Sequence, residues 1–160
     1  MRPEKEEPPG TEGVTMRVTT KGRYAVRAVL KLTMSDQTKP MSIRQLAEAE
    51  EISPEFLEQI FFRLRKADVI KSTRGPGGGF MLNRDPAEIT VKDIFDAVGE
   101  EISLSPCTAS DEPDFVCSRE NRCLAHDMWS EAAEYVKSYF AQITVQKVLD
   151  DMKKGQPLPV

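Results

Sequence analysis

Apolar residues recur at helical spacing soon after the start of the chain. Positions i, i+3, i+4 and i+7 of one stretch are apolar, as expected for one buried face of a helix: Ala25, Ala28, Val29 and Leu32. Thr20 is placed to cap this first helix, because a threonine hydroxyl accepts hydrogen bonds from unpaired backbone N–H groups.

Two more helices are predicted from capping residues followed by apolar repeats. Ser42 and Gln45 have the spacing of a capping box, which opens a short second helix. Ser53 and Pro54 provide an N-cap and a proline at the first helical position of a third helix. The buried face of this third helix again repeats at i, i+3, i+4 and i+7: Leu57, Ile60, Phe61 and Leu64.

A β-hairpin is predicted after the three helices. Residues 70–74 and 80–82 have the composition of strands, and the glycine-rich segment 75–79 between them forms a turn. Three helices followed by a hairpin are the order of a winged helix-turn-helix. The predicted fold class is therefore mainly α with a small β-wing.

The C-terminal half is predicted to contain a short helix, an irregular loop and a long helix. Thr90 opens the short helix, and residues 99–122 show no periodicity. From Leu124 onward one helix carries an apolar stripe at spacings of three or four: Trp129, Ala132, Val136, Phe140 and Ile143. We expect this stripe to form a homodimer interface, with packing on its own domain as the alternative.

Four segments follow from this pattern. Residues 1–15 are rich in Pro and Glu and are expected to be a disordered tail, residues 16–84 the winged helix-turn-helix domain, residues 85–150 an irregular loop with the C-terminal helices, and residues 151–160 a second tail. No apolar run approaches the ~20 residues that span a bilayer, and the first residues lack a secretory signal. A cytoplasmic protein with no membrane partner is expected.

Charge is distributed unevenly along the chain. The overall net charge is −4, but residues 16–84 contain 13 Lys and Arg against 7 Asp and Glu (+6), whereas residues 85–160 contain 7 against 15 (−8). A basic block favours contact with a polyanion, although uneven surface charge is an alternative explanation.

The outward positions of the third helix are candidates for DNA contacts in the major groove, where Ser, Glu and Gln side chains suit base edges and Arg63 and Lys66 suit phosphates. They are polar, which an ordinary solvated face would also explain: Ser53, Glu55, Glu58, Gln59, Arg63 and Lys66. Arg74 at the tip of the wing is suited to a minor groove. Arg17, Lys21 and Arg23, near the first helix, can neutralise backbone phosphates of double-stranded DNA.

All three cysteines and the only histidine lie within 20 consecutive residues, as Cys107-x9-Cys117-x5-Cys123-x2-His126. Thiolate and imidazole are ligands that iron and zinc prefer, and an irregular loop can fold four such groups around one centre. Zinc remains an alternative to an iron-sulfur centre at this stage, and so does thiol-redox chemistry. The clustering itself predicts a metal site.

Several motifs are long and specific enough to indicate a family: MRVTTKGRYAVRAVL from Met16, SPEFLEQIFFRLRKADVI from Ser53, RGPGGGF from Arg74, and C-x2-H followed by Trp129. They resemble the Rrf-type winged-helix transcription regulators, and within them the IscR-like branch. The resemblance runs from Met16 to about Leu149. It implies a homodimeric regulator of operator DNA, expected to be a repressor, that is not an enzyme and takes no small-molecule substrate.

The resemblance also implies roles for individual residues. Cys107, Cys117, Cys123 and His126 match cluster ligands, and a [2Fe-2S] centre is expected. DNA-reading positions of the branch match Ser53, Glu55, Glu58, Gln59 and Arg74. Nitric-oxide-sensing relatives can use an acidic ligand near the first helix, where this chain has Arg23, which favours His126 as the fourth ligand. The gap between Cys107 and Cys117 is longer than usual in the family.

Overall fold

A computed structural model describes residues 18–36, 38–108 and 123–155 of the chain. These residues form helices, one two-stranded antiparallel sheet and a short 3-10 turn. In chain order the elements are α1 (Thr20–Met34), α2 (Ile43–Glu50), α3 (Pro54–Lys66), β1 (Ile70–Thr73), β2 (Gly79–Leu82), α4 (Val91–Val98), the 3-10 turn (Pro106–Thr108), α5 (Leu124–Gln142) and α6 (Val145–Lys154).

The first helix buries the predicted face but starts one residue earlier than its predicted cap allows. The N-cap is Thr19, whose backbone is extended and whose hydroxyl accepts a hydrogen bond from the Gly22 N–H at 3.2 Å. Thr20, the expected cap, is already helical. Adjacent threonines are equivalent in sequence terms, and the backbone conformation decides between them.

The caps of the helix-turn-helix are as predicted. Ser42 and Gln45 form the capping box, with the Ser42 N–H donating to Gln45 Oε1 at 2.9 Å. The Ser53 hydroxyl accepts from the Phe56 N–H at 3.3 Å, and Pro54 occupies the first turn of α3. These caps satisfy backbone donors that a helix start leaves unpaired, so they fix the angle at which α3 leaves the turn.

The wing is a hairpin in which Ile70 pairs with Leu82 and Thr73 with Gly79. The strands end at Thr73 and begin at Gly79, each one residue from the predicted bounds. Gly75 and Gly77 adopt positive φ of 108° and 80°, which explains why the turn is built from glycine. Met41 pairs with Phe80 through two backbone hydrogen bonds, and this pairing attaches the wing to the start of α2.

The main core lies between α1, α3, α4 and the wing. Phe61 is fully buried and meets the ring of Phe80 edge-on, with centroids 4.9 Å apart. The four predicted apolar positions of α3 are all buried. The helix order and the hairpin confirm the winged helix-turn-helix predicted from the sequence.

The C-terminal region differs from the prediction of one long helix. α5 ends at Gln142, Ile143 is its C-cap, and Thr144 caps a separate helix, α6, that packs against α1. Because α6 extends to Lys154, residues 151–154, which were assigned to a tail, are helical. Among the described helices none is both long and apolar enough to cross a membrane.

Candidate DNA interface and metal ligands

The outward face of α3 carries the residues predicted to contact DNA. All six predicted positions are exposed, while the opposite side of the helix is buried in the core. Three basic residues, Arg63, Arg65 and Lys66, lie in its last turn. The helix therefore presents a polar face that becomes positively charged toward its C-terminal end, which suits a polyanion with a readable edge.

The wing presents Arg74 at the end of β1, where the side chain is exposed next to the glycine turn. The Gly78 N–H donates to the Gly75 carbonyl at 2.8 Å and closes this turn. A narrow tip without bulky side chains can approach a duplex closely, as minor-groove contact by an arginine requires.

The basic residues at the start of α1 are only partly available. Arg23 is exposed, and its guanidinium lies 3.3 Å from the Thr20 hydroxyl. Lys21 is half-buried, and its Nζ donates to the Gly99 carbonyl at 3.4 Å. Arg17 lies outside the described residues. Lys21 thus joins α1 to the C-terminal end of α4 as well as carrying a positive charge.

A buried carboxylate lies beside this helix start. Glu100 is 7% exposed, and its Oε1 accepts the Thr19 N–H at 2.7 Å while its Oε2 accepts the Thr19 hydroxyl. A Cβ added at Gly22 would lie 2.7 Å from this carboxylate, so only glycine leaves room for it. A negative charge at a helix N-terminus is favourable, and Glu100 thereby attaches the segment after α4 to α1.

Two of the three predicted cysteine ligands lie in the described part of the chain. Cys107 is half-buried in the 3-10 turn, and its Sγ lies 2.7 Å from the Ser105 hydroxyl. Cys123 is half-buried at the N-cap position of α5, where its side chain makes no capping hydrogen bond. Both are free thiols, and Cys117 lies outside the described residues.

His126 lies in the first turn of α5, three residues after Cys123. Its backbone N–H donates to the Cys123 carbonyl at 3.1 Å, and its Nδ1 lies 3.4 Å from Asp127 Oδ1. An Nδ1–H directed at a carboxylate leaves Nε2 with the lone pair that binds a metal. Since α5 packs against the 3-10 turn, the structure brings the elements that carry Cys107, Cys123 and His126 together.

These three residues do not by themselves form a closed site. Within residues 18–36, 38–108 and 123–155, no three His, Cys, Asp or Glu side chains are grouped so that they could hold a metal ion. Two thiols and one imidazole are nevertheless the donor set that an iron-sulfur centre or zinc takes. The chemistry of the donors therefore fits such a group.

The predicted dimer stripe on α5 lies partly against the chain itself. Phe140 meets the ring of Phe95 edge-on at 5.2 Å, and Ile143 is buried beside Val91. Trp129 is 40% exposed, and Ala132 and Val136 are half-buried. A second line of large apolar residues on the same helix is more exposed: Leu124, Met128 and Tyr135, at 98%, 51% and 79%.

Comparison with known proteins gives the family. Residues 18–151 match the Rrf2 family, described as an iron-dependent transcriptional regulator. The chain belongs to the Rrf2 family. This Rrf2-family chain is 36% identical to the HTH-type transcriptional regulator IscR of Xenorhabdus nematophila over 138 residues. The aligned region covers 86% of this chain and 82% of that protein. The chain is 37% identical over 136 residues to IscR of Yersinia pseudotuberculosis, covering 85% and 80%.

Solved structures of the family share the fold. The structure of T. potens IscR has a TM-score of 0.69 at 28% identity and covers 94% of this chain and 97% of that chain. The global cysteine regulator CymR of B. subtilis has a TM-score of 0.67 at 26% identity, covering 85% and 98%. The Rrf2-family chain is therefore a winged-helix transcriptional regulator of the IscR type that binds DNA, and its relatives are regulators rather than enzymes.

Sequence reasoning missed three features of this Rrf2-family regulator. It missed α6, although Thr144 followed by Val145, Val148 and Leu149 is a readable N-cap and apolar repeat. It missed Glu100, because a single carboxylate gives no sequence signal of burial. It also passed over Phe62, an apolar residue beside the four buried ones of α3, whose phase on the helix places it outward.

Proposed function

We propose that this regulator is a cytoplasmic, homodimeric repressor whose affinity for operator DNA is controlled by an iron-sulfur cluster. The proposed ligands are Cys107, Cys117, Cys123 and His126. The observation that supports this most is that α5 packs against the 3-10 turn that contains Cys107. Cys123 directly precedes α5, and His126 lies in its first turn. Residues 16–84 would bind DNA, and residues 85–150 would bind the cluster and form the dimer interface.

The donor set favours a [2Fe-2S] centre with zinc as the alternative occupant. When bound, such a cluster supplies a thiolate-ligated iron centre that responds to oxidants, nitric oxide or the supply of clusters. Cys107 and Cys123 would bind such a group through their sulfur atoms, and His126 would bind it through a ring nitrogen. Ser105 and Asp127 orient Cys107 and His126 through their hydrogen bonds.

Contacts within the chain connect the ligand segment to the DNA-binding elements. The carboxylate of Glu100, seven residues before Cys107, accepts both hydrogen bonds from Thr19 at the start of α1. A change in the position of the 100–107 segment would therefore move the N-terminus of α1, where Arg23 is exposed. This is one route from ligands to DNA contacts.

The C-terminal end of α5 is attached to the start of α4. The Val91 N–H donates to the Ile143 carbonyl at 2.9 Å, and the Val145 N–H donates to the Ile89 carbonyl at 2.8 Å. The C-terminal end of α5 is thus joined through its backbone to residues 89–91 at the start of α4, and α5 also packs against the 3-10 turn. When the N-terminal ligands are engaged, α5 is expected to change its angle relative to α3.

The homodimer is proposed to form through α5. Leu124, Met128 and Tyr135 project from one side of this helix at spacings of four and seven residues, and Trp129 lies on its flank. A second copy of the same helix would cover this apolar line, and two α3 helices would then face two half-sites of a palindromic operator.

Anaerobic purification followed by a visible spectrum and analysis of iron, sulfide and zinc tests the cluster. We expect a coloured protein with iron and sulfide in the wild type and a colourless one in Cys107→Ala. The matched control, Thr108→Ala, changes a neighbouring residue of the same turn and should keep the colour. A colourless protein with one zinc per chain would contradict the proposal and favour a zinc-stabilised module. Turnover of thiol substrates without affinity for DNA would favour a thiol-redox protein.

A further inference from the structure

Phe62 is a large apolar side chain on the outward face of α3. It is 60% exposed, whereas its neighbour Phe61 is fully buried. Single exposed apolar residues are common on protein surfaces and need no explanation by themselves. The place of Phe62 is what matters, because it lies among the residues expected to face the major groove.

The helical spacing places Phe62 next to the base-reading positions. Gln59 and Glu58 lie three and four positions before it, and Glu55 lies seven positions before it, so all four occupy adjacent sites on one face. Together with Arg63 these residues line one shallow recess on the surface of α3. Phe62 is thus part of the same face and not on the side that packs in the core.

The ring is flanked by positive charge. The guanidinium of Arg65 lies 6.0 Å from the centroid of Phe62, a cation–π arrangement that favours a defined position of the ring. Arg63, Arg65 and Lys66 make this end of α3 basic. The polar and charged side chains around the ring include Glu55 and Glu58 as well as these basic residues, and they favour the polar base edges and phosphates of DNA over an apolar protein surface.

In the major groove the apolar group that a base pair exposes is the 5-methyl of thymine. A phenyl ring has no hydrogen-bond donor or acceptor for the other base edges, but it can pack on this methyl group. We propose that Phe62 is a specificity-determining residue that contacts the methyl group of a thymine in each operator half-site. The inference rests on DNA binding by α3 and does not depend on the cluster.

The test replaces thymine with deoxyuridine, which lacks only the methyl group. An operator is first selected from a randomised DNA library with the full-length wild-type protein, and each thymine is then replaced in turn. Affinities are measured by fluorescence anisotropy at fixed salt. We expect one uracil position per half-site to weaken wild-type binding about 4- to 10-fold, as the loss of one buried methyl contact implies.

Phe62→Ala should bind the thymine operator more weakly by a similar factor and become indifferent to the methyl group at that one position. Phe62→Leu, which keeps an apolar side chain, should retain part of the sensitivity. Because Phe62 is exposed, thermal unfolding should show the variants folded. Met34→Ala is the matched control, since Met34 is also 60% exposed but lies at the end of α1.

Several results would overturn the inference. One is a wild type that binds its operator but tolerates uracil at every position. Another is a Phe62→Ala protein that keeps the wild-type ratio between thymine and uracil DNA everywhere. A third is unchanged operator affinity of Phe62→Ala with loss of transcriptional control in a reporter, which would assign the ring to a protein contact. A wild type without affinity for any DNA would reject DNA binding itself, a result distinct from the other three.

Discussion

The helices α3 and α5 are both amphipathic, but their apolar faces differ in how far the rest of the chain buries them. In α3, 13 residues long, the face formed by Leu57, Ile60, Phe61 and Leu64 is entirely buried by the rest of the chain. In α5, 19 residues long, Ala133 is the one buried residue, and Leu124, Met128 and Tyr135 are exposed. An apolar helix surface that is left open within one chain favours association with a second surface.

This difference in burial indicates that the apolar face of α3 stabilises the single chain, whereas that of α5 serves association between chains. The α3 face holds the winged helix together, so its residues should determine whether a single chain folds. The exposed α5 face contributes little to the folding of one chain and is available to bind a second copy. The contact between Phe95 and Phe140 anchors α5 to its own domain, and the exposed line lies on a different side of the helix.

Two adjacent residues of α3 test this comparison with the largest expected effect. Phe61→Ala should lower the free energy of unfolding by about 3–5 kcal/mol, because it removes a fully buried ring and leaves a cavity against Phe80. Phe62→Ala, at the exposed neighbouring position, should change it by no more than about 0.5 kcal/mol. Urea unfolding monitored by circular dichroism measures both. Equal losses in the two variants would contradict the assignment of inward and outward faces.

The exposed line of α5 is tested by placing a charge in it. Met128→Asp should weaken dimerisation about 100-fold, or about 3 kcal/mol, because the new carboxylate would be buried without a partner. Sedimentation across a range of concentrations measures the change. Ala141→Asp adds the same charge on an exposed position of the same helix and should leave the dimer intact. A monomeric wild type, or equal weakening of dimerisation by both variants, would contradict a dimer interface on this side of α5.

A third test asks whether DNA contacts belong to the winged helix and not to α5. Arg74→Ala should lower operator affinity by about 1–3 kcal/mol and reduce its salt dependence, because it removes one positive charge from the minor groove. Lys137→Ala removes a positive charge from α5 and should leave affinity unchanged, since Lys137 pairs with Glu134 at 2.8 Å. Binding assays at several salt concentrations compare the operator affinities of the two variants. Equal losses of affinity would contradict the assignment of the DNA contacts to the winged helix.

The smallest expected effect concerns the contact that joins the two regions. Glu100→Gln keeps the shape of the side chain but removes its charge, so the free energy of unfolding should fall by about 1 kcal/mol. The difference in operator affinity between cluster-loaded and apo protein should also shrink. Glu88→Gln, which changes an exposed carboxylate, is the control for a simple change of net charge. If Glu100→Gln leaves the affinity difference intact, the coupling does not pass through Thr19.

The winged helix could be predicted because its information is local. Caps at Ser42 and Ser53 and the apolar repeats of α1 and α3 act within one or two turns, and the glycines of the wing mark a turn directly. The error at Thr19 arose because two adjacent threonines offer the same capping group, and only the backbone conformation distinguishes them.

The C-terminal half was harder to predict because its contacts are distant in sequence. Glu100 meets Thr19 across 81 positions, and the end of α5 is set by backbone pairing of residues 143–145 with 89–91. The stripe from Trp129 to Ile143 was treated as one surface, yet Phe140 and Ile143 face α4 of the same chain. Periodicity identifies an apolar side of a helix, but it does not tell which neighbour covers each part.

In the proposed mechanism, ligand binding by the cysteine segment controls how the winged helix binds DNA. Operator affinity of one anaerobic preparation, measured before and after removal of its cluster and compared with Cys107→Ala, tests this most directly. We expect the loaded wild type to differ from the apo protein in operator affinity by about tenfold or more, as for typical coupling between two sites. Cys107→Ala should match the apo protein under both treatments. Equal affinity in all of these samples, with iron and sulfide present in the wild type, would contradict it.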